Sequence, residues 1–233
     1  MTHSLDRAPL HVGLMVPSNN TTMEGELLAW LPAGSTVTTV KIPRGAGLLT
    51  RETIPAYRDN AISLAREHFR KAEFDLIAYG CTAAGFILGP SGDAALSMML
   101  SDATGLPIVT TARAMVSALQ HDKARRIAVV TPYNDAVNGQ LTAFLADGGI
   151  EVVRLETFRA PDVVALGCIT AQQVRNLACA TMGPDCDALF IGCSQLPTYA
   201  ILADLQREFD RPAWSSIRAT AWDAMRVPLA ETA

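Results

Sequence analysis

Leu76-Ile77-Ala78-Tyr79-Gly80-Cys81 recurs 112 positions later as Leu189-Phe190-Ile191-Gly192-Cys193. Each copy is a short apolar run closed by a glycine and a cysteine, and a run of that length bounded by a turn residue reads as a strand buried on both faces. Two further pairs keep the same order along the chain. Gly13-Leu14-Met15-Val16-Pro17-Ser18-Asn19 is echoed by Ala128-Val129-Val130-Thr131-Pro132-Tyr133-Asn134, and Pro107-Ile108-Val109-Thr110-Thr111-Ala112-Arg113 by Pro212-Ala213-Trp214-Ser215-Ser216-Ile217-Arg218. Any one echo is short enough to arise by chance. Three in one order, with slowly drifting offsets, predict two similar halves.

Working outward, further runs alternate with amphipathic stretches. Strands are expected at Val12–Val16, Val37–Ile42, Leu76–Tyr79, Ile108–Thr110, Ile127–Thr131, Glu151–Leu155, Leu189–Ile191 and Ala213–Ser215. Between them, 55–71 places Ile62, Ala65 and Phe69 on one helical face, and 135–147 does the same with Val137, Leu141, Phe144 and Leu145. Strands alternating with helices give an α/β fold with parallel sheets covered on both faces. The expected architecture is two similar parallel-sheet α/β lobes related by a pseudo-twofold axis, with an active site between them. The first lobe is drawn over 10–105 plus 214–233, its C-terminal segment crossing back, and the second over 106–213.

Bulk properties narrow the function classes. With 233 residues, 49% of them hydrophobic, the chain can bury a substantial core. A formal charge of −4, with no long Lys/Arg run, argues against nucleic acid or an anionic membrane as partner. The N-terminus lacks a signal-like apolar stretch and no 18-residue apolar run occurs, so a cytoplasmic protein is expected. Five cysteines fit free thiols better than a disulfide framework. The histidines at 3, 11, 68 and 121 form no ligand-spaced cluster, and no metal is expected. Gly45-Ala46-Gly47 does not continue into a dinucleotide-binding glycine spacing, so nucleotide binding is discounted. Homo-oligomerisation is left open, with no sequence feature fixing an interface.

Chemistry is expected at the strand ends, because ligands of open parallel sheets bind beyond the carboxyl ends of the strands. Cys81 and Cys193 occupy equivalent ends, and a pseudo-twofold axis puts them across one cleft. A thiol ionises near pH ~8.5 when unperturbed, and a helix N-terminus lowers that value. One thiolate would act as base or nucleophile while the opposite thiol supplies a proton. A lone cysteine after a buried strand is ordinarily a small core residue, but the repetition makes that reading a coincidence required twice. Cys168, Cys179 and Cys186 lack the context and read as structural. Thr82 and Ser194, the hydroxyls following each cysteine, cap helices or bind a carboxylate oxygen. Pro17, Ser18 and Asn20 stand in the loop after the first strand, where amides and hydroxyls either hold a carboxylate or cap the next helix. Tyr133 and Asn134 follow the fifth strand, Tyr133 donating into the cleft or covering core. Arg113 and Arg218 have the geometry of carboxylate clamps, but their helical positions favour surface or inter-helix pairing.

Val16-Pro17-Ser18-Asn19-Asn20-Thr21-Thr22-Met23-Glu24, Tyr79-Gly80-Cys81-Thr82-Ala83, Thr131-Pro132-Tyr133 and Gly192-Cys193 together resemble the aspartate/glutamate racemase superfamily, and within it the maleate cis–trans isomerase and arylmalonate decarboxylase branch. The resemblance spans roughly residues 10 to 227, its first block being the most specific. It implies a two-lobed α/β fold, an interlobe site and no cofactor. It also implies that Cys81 adds to a double bond, that Cys193 delivers a proton to the adjacent carbon, and that Asn20 and Tyr133 orient carboxylates. The decarboxylases keep the second cysteine but carry glycine where Cys81 stands, while 133–146 looks decarboxylase-like. Asp162-Val163 replaces the asparagine-bearing loop of maleate isomerases; Asp162 is expected to repel a dicarboxylate and Val163 to suit a less polar substrate. The leading expectation is a cofactor-independent isomerase of maleate type acting on a small carboxylic acid. A racemase of a small acid or amino-acid derivative, a decarboxylase of disubstituted malonates and a non-catalytic small-acid-binding domain are the alternatives.

Overall fold

The computed structural model describes residues 8–44 and 49–228. The first half runs β1 (His11–Pro17), α1 (Met23–Trp30), β2 (Thr36–Ile42), α2 (Ile54–His68), β3 (Leu76–Tyr79), α3 (Thr82–Phe86), α4 (Gly89–Thr104), β4 (Ile108–Thr110) and α5 (Thr111–His121). The second continues with β5 (Arg126–Thr131), α6 (Asp135–Asp147), β6 (Glu151–Thr157), α7 (Val163–Gly167), α8 (Ala171–Thr181), β7 (Ala188–Ile191), α9 (Tyr199–Phe209), β8 (Ala213–Ser215) and α10 (Ser216–Ala224). Each expected strand is present, its ends displaced by at most two residues.

Every strand pair is parallel, in two sheets of order β2-β1-β3-β4 and β6-β5-β7-β8. The orders are the same under exchange of the halves, so the sequence echoes correspond to structurally equivalent strands. The central strands β1 and β5 are apolar along almost their whole length because both faces are covered. Each Leu, Val or Ile buried there contributes about 1.5–3 kcal/mol of transfer free energy. The edge strands β2 and β6 are mostly exposed or half-buried.

Strand pairing moves the lobe boundary drawn from the sequence. β4 pairs with β3, so residues 108–110 lie in the first sheet although the boundary at 106 assigned them to the second lobe. β8 pairs with β7, so the boundary at 214 cuts through a strand of the second sheet. The Pro107 and Pro212 echo marks the closing strand of each half, not the opening of the next. The C-terminal α10 crosses back to pack on α5 and α1, and Thr220 Oγ1 lies 3.0 Å from Thr111 Oγ1.

The same echo explains the two arginines. Thr110 Oγ1 accepts from Arg113 N at 3.2 Å and Ser215 Oγ from Arg218 N at 3.1 Å, capping α5 and α10 alike. Arg113 then donates to Ile108 O at 2.5 Å, and Arg218 to Ala213 O at 2.7 Å. Arg218 also lies over the rings of Trp30 and Trp214. Both arginines tie a helix back to its own strand, where surface or inter-helix pairing was expected; Arg218 also donates to Gln206 of α9 at 2.9 Å. No helix among the described residues is long and apolar enough to cross a membrane. The Gly45-Ala46-Gly47 motif lies outside the described residues.

Candidate active site

The strand ends of both halves meet at one cavity. Cys81 and Cys193 line it together, 5% and 8% exposed. Their sulfurs are near enough that Cys81 acts on the ionisation of Cys193. Pro17, Asn19 and Asn20 come from the end of β1, Arg44 and Leu49 from the segment after β2, and Thr82 and Ala83 follow Cys81. Tyr133, Val137 and Leu166 enter from the second half, with Ser194 and Gln195 after Cys193. The cavity measures about 50 Å³. By the same measure one water needs roughly 10–15 Å³, so the cavity takes only a compact molecule.

The cysteines are held differently. Cys81 is the N-cap of α3, in extended conformation. Gly80 before it is required by packing: a Cβ there would lie 2.4 Å from Met23 Sδ, 2.8 Å from Val16 Cγ1 and 3.1 Å from Met15 O. Cys193 is not at a helix N-terminus, since α9 begins only at Tyr199. It sits instead at φ +136°, a conformation that costs a non-glycine residue of order 1–3 kcal/mol. Surrounding bonds enforce it: Cys193 N donates to Ser216 Oγ at 3.0 Å, its carbonyl accepts from Leu196 N at 3.2 Å, and its sulfur accepts from Gln195 N at 3.5 Å.

The expected lowering of the thiol pKa values does not occur. Burial pushes both thiols up, Cys193 to about 11. For Cys81 the opposing influences are the Ala84 backbone N–H, the Arg44 charge and the Tyr57 phenol; for Cys193 they are backbone N–H groups and the Tyr133 phenol. A helix of five residues cannot offset the desolvation of a sulfur closed off from water. Both thiols therefore rest protonated at neutral pH. Burial, then Cys193, raises the Tyr133 pKa well above its ordinary value, so this side chain is a fixed donor. Its ring packs edge-on against Phe86 at 5.8 Å.

Of the residues expected to contact substrate, Pro17, Asn20, Thr82, Tyr133 and Ser194 line the cavity, whereas Ser18, Asn134 and Val163 do not. Ser18 is exposed. Asn134 is spent as the N-cap of α6, its Oδ1 accepting from Val137 N at 3.0 Å. Val163 opens α7, and it is Leu166, one turn on, that reaches the cavity. Asp162, expected to repel a dicarboxylate, caps α7 by accepting from Val164 N and Ala165 N at 2.9 and 2.8 Å. It does not line the cavity, which removes that objection.

Three of the lining residues, Asn20, Ser194 and Gln195, are already committed to protein partners. Asn20 Nδ2 donates to Ser194 O and Oγ, both at 3.1 Å, and its Oδ1 accepts from Thr22 N and Met23 N at 3.1 and 2.9 Å. Ser194 Oγ donates to Gly80 O at 2.6 Å. Gln195 joins the same seam, accepting from Thr21 N and donating to Thr21 Oγ1, each at 2.9 Å. Thr198 N and Oγ1 donate to Glu26 at 2.7 and 2.9 Å. Lys41 Nζ donates to Asn20 O. The Asn20, Ser194, Gln195 and Thr198 bonds across the halves fasten the loop carrying Cys193 to the first half.

Polar capacity remains elsewhere. Asn19 Oδ1 is buried without a hydrogen-bond partner, and Thr82 Oγ1 faces the Tyr133 phenol without a hydrogen bond of ordinary geometry. Buried polar atoms of this kind call for a partner. Sequence reading missed Asn19, although it quoted the motif containing it, and also missed Arg44, Leu49, Ala83, Val137, Leu166 and Gln195. Arg44 was within reach: it lies two residues beyond β2, where the strand-end rule already pointed. Among the described residues no group of His, Cys, Asp and Glu is placed to hold a metal ion.

A family model described as arylmalonate decarboxylase matches residues 12–232. Arylmalonate decarboxylase of Bordetella bronchiseptica is 29% identical over 185 residues, 78% of this chain and 77% of that protein. Maleate isomerase of Nocardia farcinica is 28% identical over 225 residues, 92% of this chain and 88% of that protein. A structure of the Nocardia farcinica enzyme, a cysteine-to-serine mutant with a covalently bound succinylcysteine intermediate, superposes with a TM-score of 0.85. It is 24% identical and covers 94% of this chain and 92% of its own, which establishes the shared fold.

Proposed function

This chain belongs to the arylmalonate decarboxylase family, and from that premise we propose that it is a cofactor-independent isomerase of maleate type, acting on a small unsaturated dicarboxylic acid. The observation that carries the reading is the pair of sulfurs, Cys81 and Cys193, lining one compact cavity. A decarboxylase of the glycine-plus-cysteine type has no use for the first of them.

In the proposed reaction Cys81 gives up its proton to solvent and its thiolate adds to one alkene carbon, forming a C–S bond. The π electrons move to the adjacent carbon and its carboxylate, and the Cys193 S–H protonates that carbon. The former double bond is now single and rotates. Cys193, as thiolate, then takes the proton back, the electron pair re-forms the double bond, and the C–S bond breaks to restore the Cys81 thiolate. Tyr133, beside the Cys193 sulfur and Thr82, supplies a hydrogen bond to the carboxylate oxygen on which charge accumulates, a term enlarged in a site closed to water. Conversion of maleate to fumarate, followed by NMR under reducing conditions, tests this. Cys81→Ala and Cys193→Ala should each abolish it, and failure of the wild type to turn over maleate would refute this substrate.

The apolar wall of Leu49, Val137 and Leu166 favours a second reading, decarboxylation of a disubstituted malonate with the leaving carboxylate against that wall. It predicts CO₂ release that survives Cys81→Gly but not Cys193→Ala.

A further inference from the structure

We infer that Ser194 is a positioning residue: its hydroxyl bonds the backbone beside Cys81 and so sets the spacing of the two sulfurs across the cavity. The inference rests on the reading of that cavity as the active site of a two-cysteine isomerase. Ser194 follows Cys193 directly and is 4% exposed. Its Oγ donates to Gly80 O at 2.6 Å, and Gly80 directly precedes Cys81. The acceptor is the carbonyl of the Gly80–Cys81 peptide, so the bond fixes the plane from which the Cys81 side chain departs. A single hydrogen bond thus joins the neighbour of one sulfur to the neighbour of the other, across 114 positions of the chain.

A serine hydroxyl has one hydrogen to give. Here Gly80 O receives it, while the same Oγ accepts from Asn20 Nδ2 at 3.1 Å. A carboxylate offers only acceptors, so the carboxylate-binding role expected of Ser194 falls away. Each end of the bridge is braced from behind: Gly80 N donates to Met15 O at 2.7 Å, and Cys193 N to Ser216 Oγ at 3.0 Å. Ser216 is fully buried. Gly80 is closed in by Met23 and Val16, whereas Cys193 sits strained at φ +136°. Loss of the Ser194 bond removes one of the restraints on that strained residue, and its sulfur shifts as the backbone relaxes. Thr82, the matching hydroxyl after Cys81, makes no such bridge, and its Oγ1 faces the Tyr133 phenol. The two hydroxyls of the repeat serve different ends.

Turnover and binding, measured side by side, separate a positioning residue from a ligand. For each protein, kcat with maleate is set beside the maleate concentration that half-protects Cys81 from iodoacetamide, read by peptide mass. Ser194→Ala should lower kcat about tenfold to a hundredfold, the cost of a misplacement of ~1 Å, and leave the half-protecting concentration unchanged. Ser194→Thr, which keeps the hydroxyl, should recover most of the loss. Thermal unfolding confirms that each variant is folded. A folded Ser194→Ala protein with the wild-type kcat overturns the positioning role. So does one whose half-protecting concentration rises about tenfold or more, the mark of a lost carboxylate contact. A folded Ser194→Thr protein as slow as Ser194→Ala also overturns it. Failure of the wild type to turn over maleate overturns the isomerase reading instead, and labelling without substrate then decides the role of Ser194. Ser194→Ala should speed alkylation of Cys81, 113 residues away, as well as that of Cys193, and an unchanged rate at Cys81 overturns the assignment.

Discussion

Cys193 offers the most direct test of the site's electrostatics. Burial raises its pKa from an ordinary 9.0 to about 11, which corresponds to about 2.7 kcal/mol against the thiolate at ~1.36 kcal/mol per unit. At pH 8 an ordinary thiol is about one-tenth ionised, and this one about one part in a thousand, a hundredfold deficit. A thiolate of higher pKa is also the better nucleophile. With the slope of about 0.4–0.5 seen in disulfide exchange, two units return roughly a factor of eight. The net expectation is alkylation about tenfold slower than a free thiol at pH 8, before any effect of access. Access scales the rate but does not move the pH midpoint, so the profile is the decisive measurement. In Cys81→Ala, where burial still dominates, the iodoacetamide rate at Cys193 should climb tenfold per pH unit from 7 to beyond 10. A plateau setting in below pH 9.5 would refute the claim that desolvation outweighs the backbone N–H groups and the Tyr133 phenol.

Asp93, 3% exposed, accepts from Thr110 Oγ1 at 2.8 Å and has its pKa raised to about 6 by burial. A raised folded pKa means stability that is whole below about pH 4 and lost as pH rises through 6, roughly 3 kcal/mol in all. Asp93→Asn should therefore gain up to about 3 kcal/mol at pH 8 and nothing at pH 4, read by urea unfolding; equal gains at both pH values would contradict the sign. Gly80→Ala should cost about 1–3 kcal/mol by overpacking against Met23 and Val16 and lower kcat/KM by displacing Cys81. An unchanged Tm with full activity would show that the loop has slack.

Strands, their parallel arrangement and the duplication were legible in the sequence because each is declared locally. Leu76–Tyr79 and Ala188–Ile191 are buried on both faces and so are apolar at every position, and the turn residues that follow mark where ligands bind. The equivalence of Cys81 and Cys193 followed from the repeat alone. Which polar groups remain available to a substrate was settled only by the tertiary structure, because hydrogen-bond satisfaction depends on partners remote in sequence. Asn20 reads as a substrate ligand until Ser194, 174 residues away, is seen to occupy its amide, and Asn19 beside it is left with the unpartnered oxygen. Likewise a cysteine at a strand end predicts an acidic thiol until the second half closes over it, and desolvation then reverses the sign.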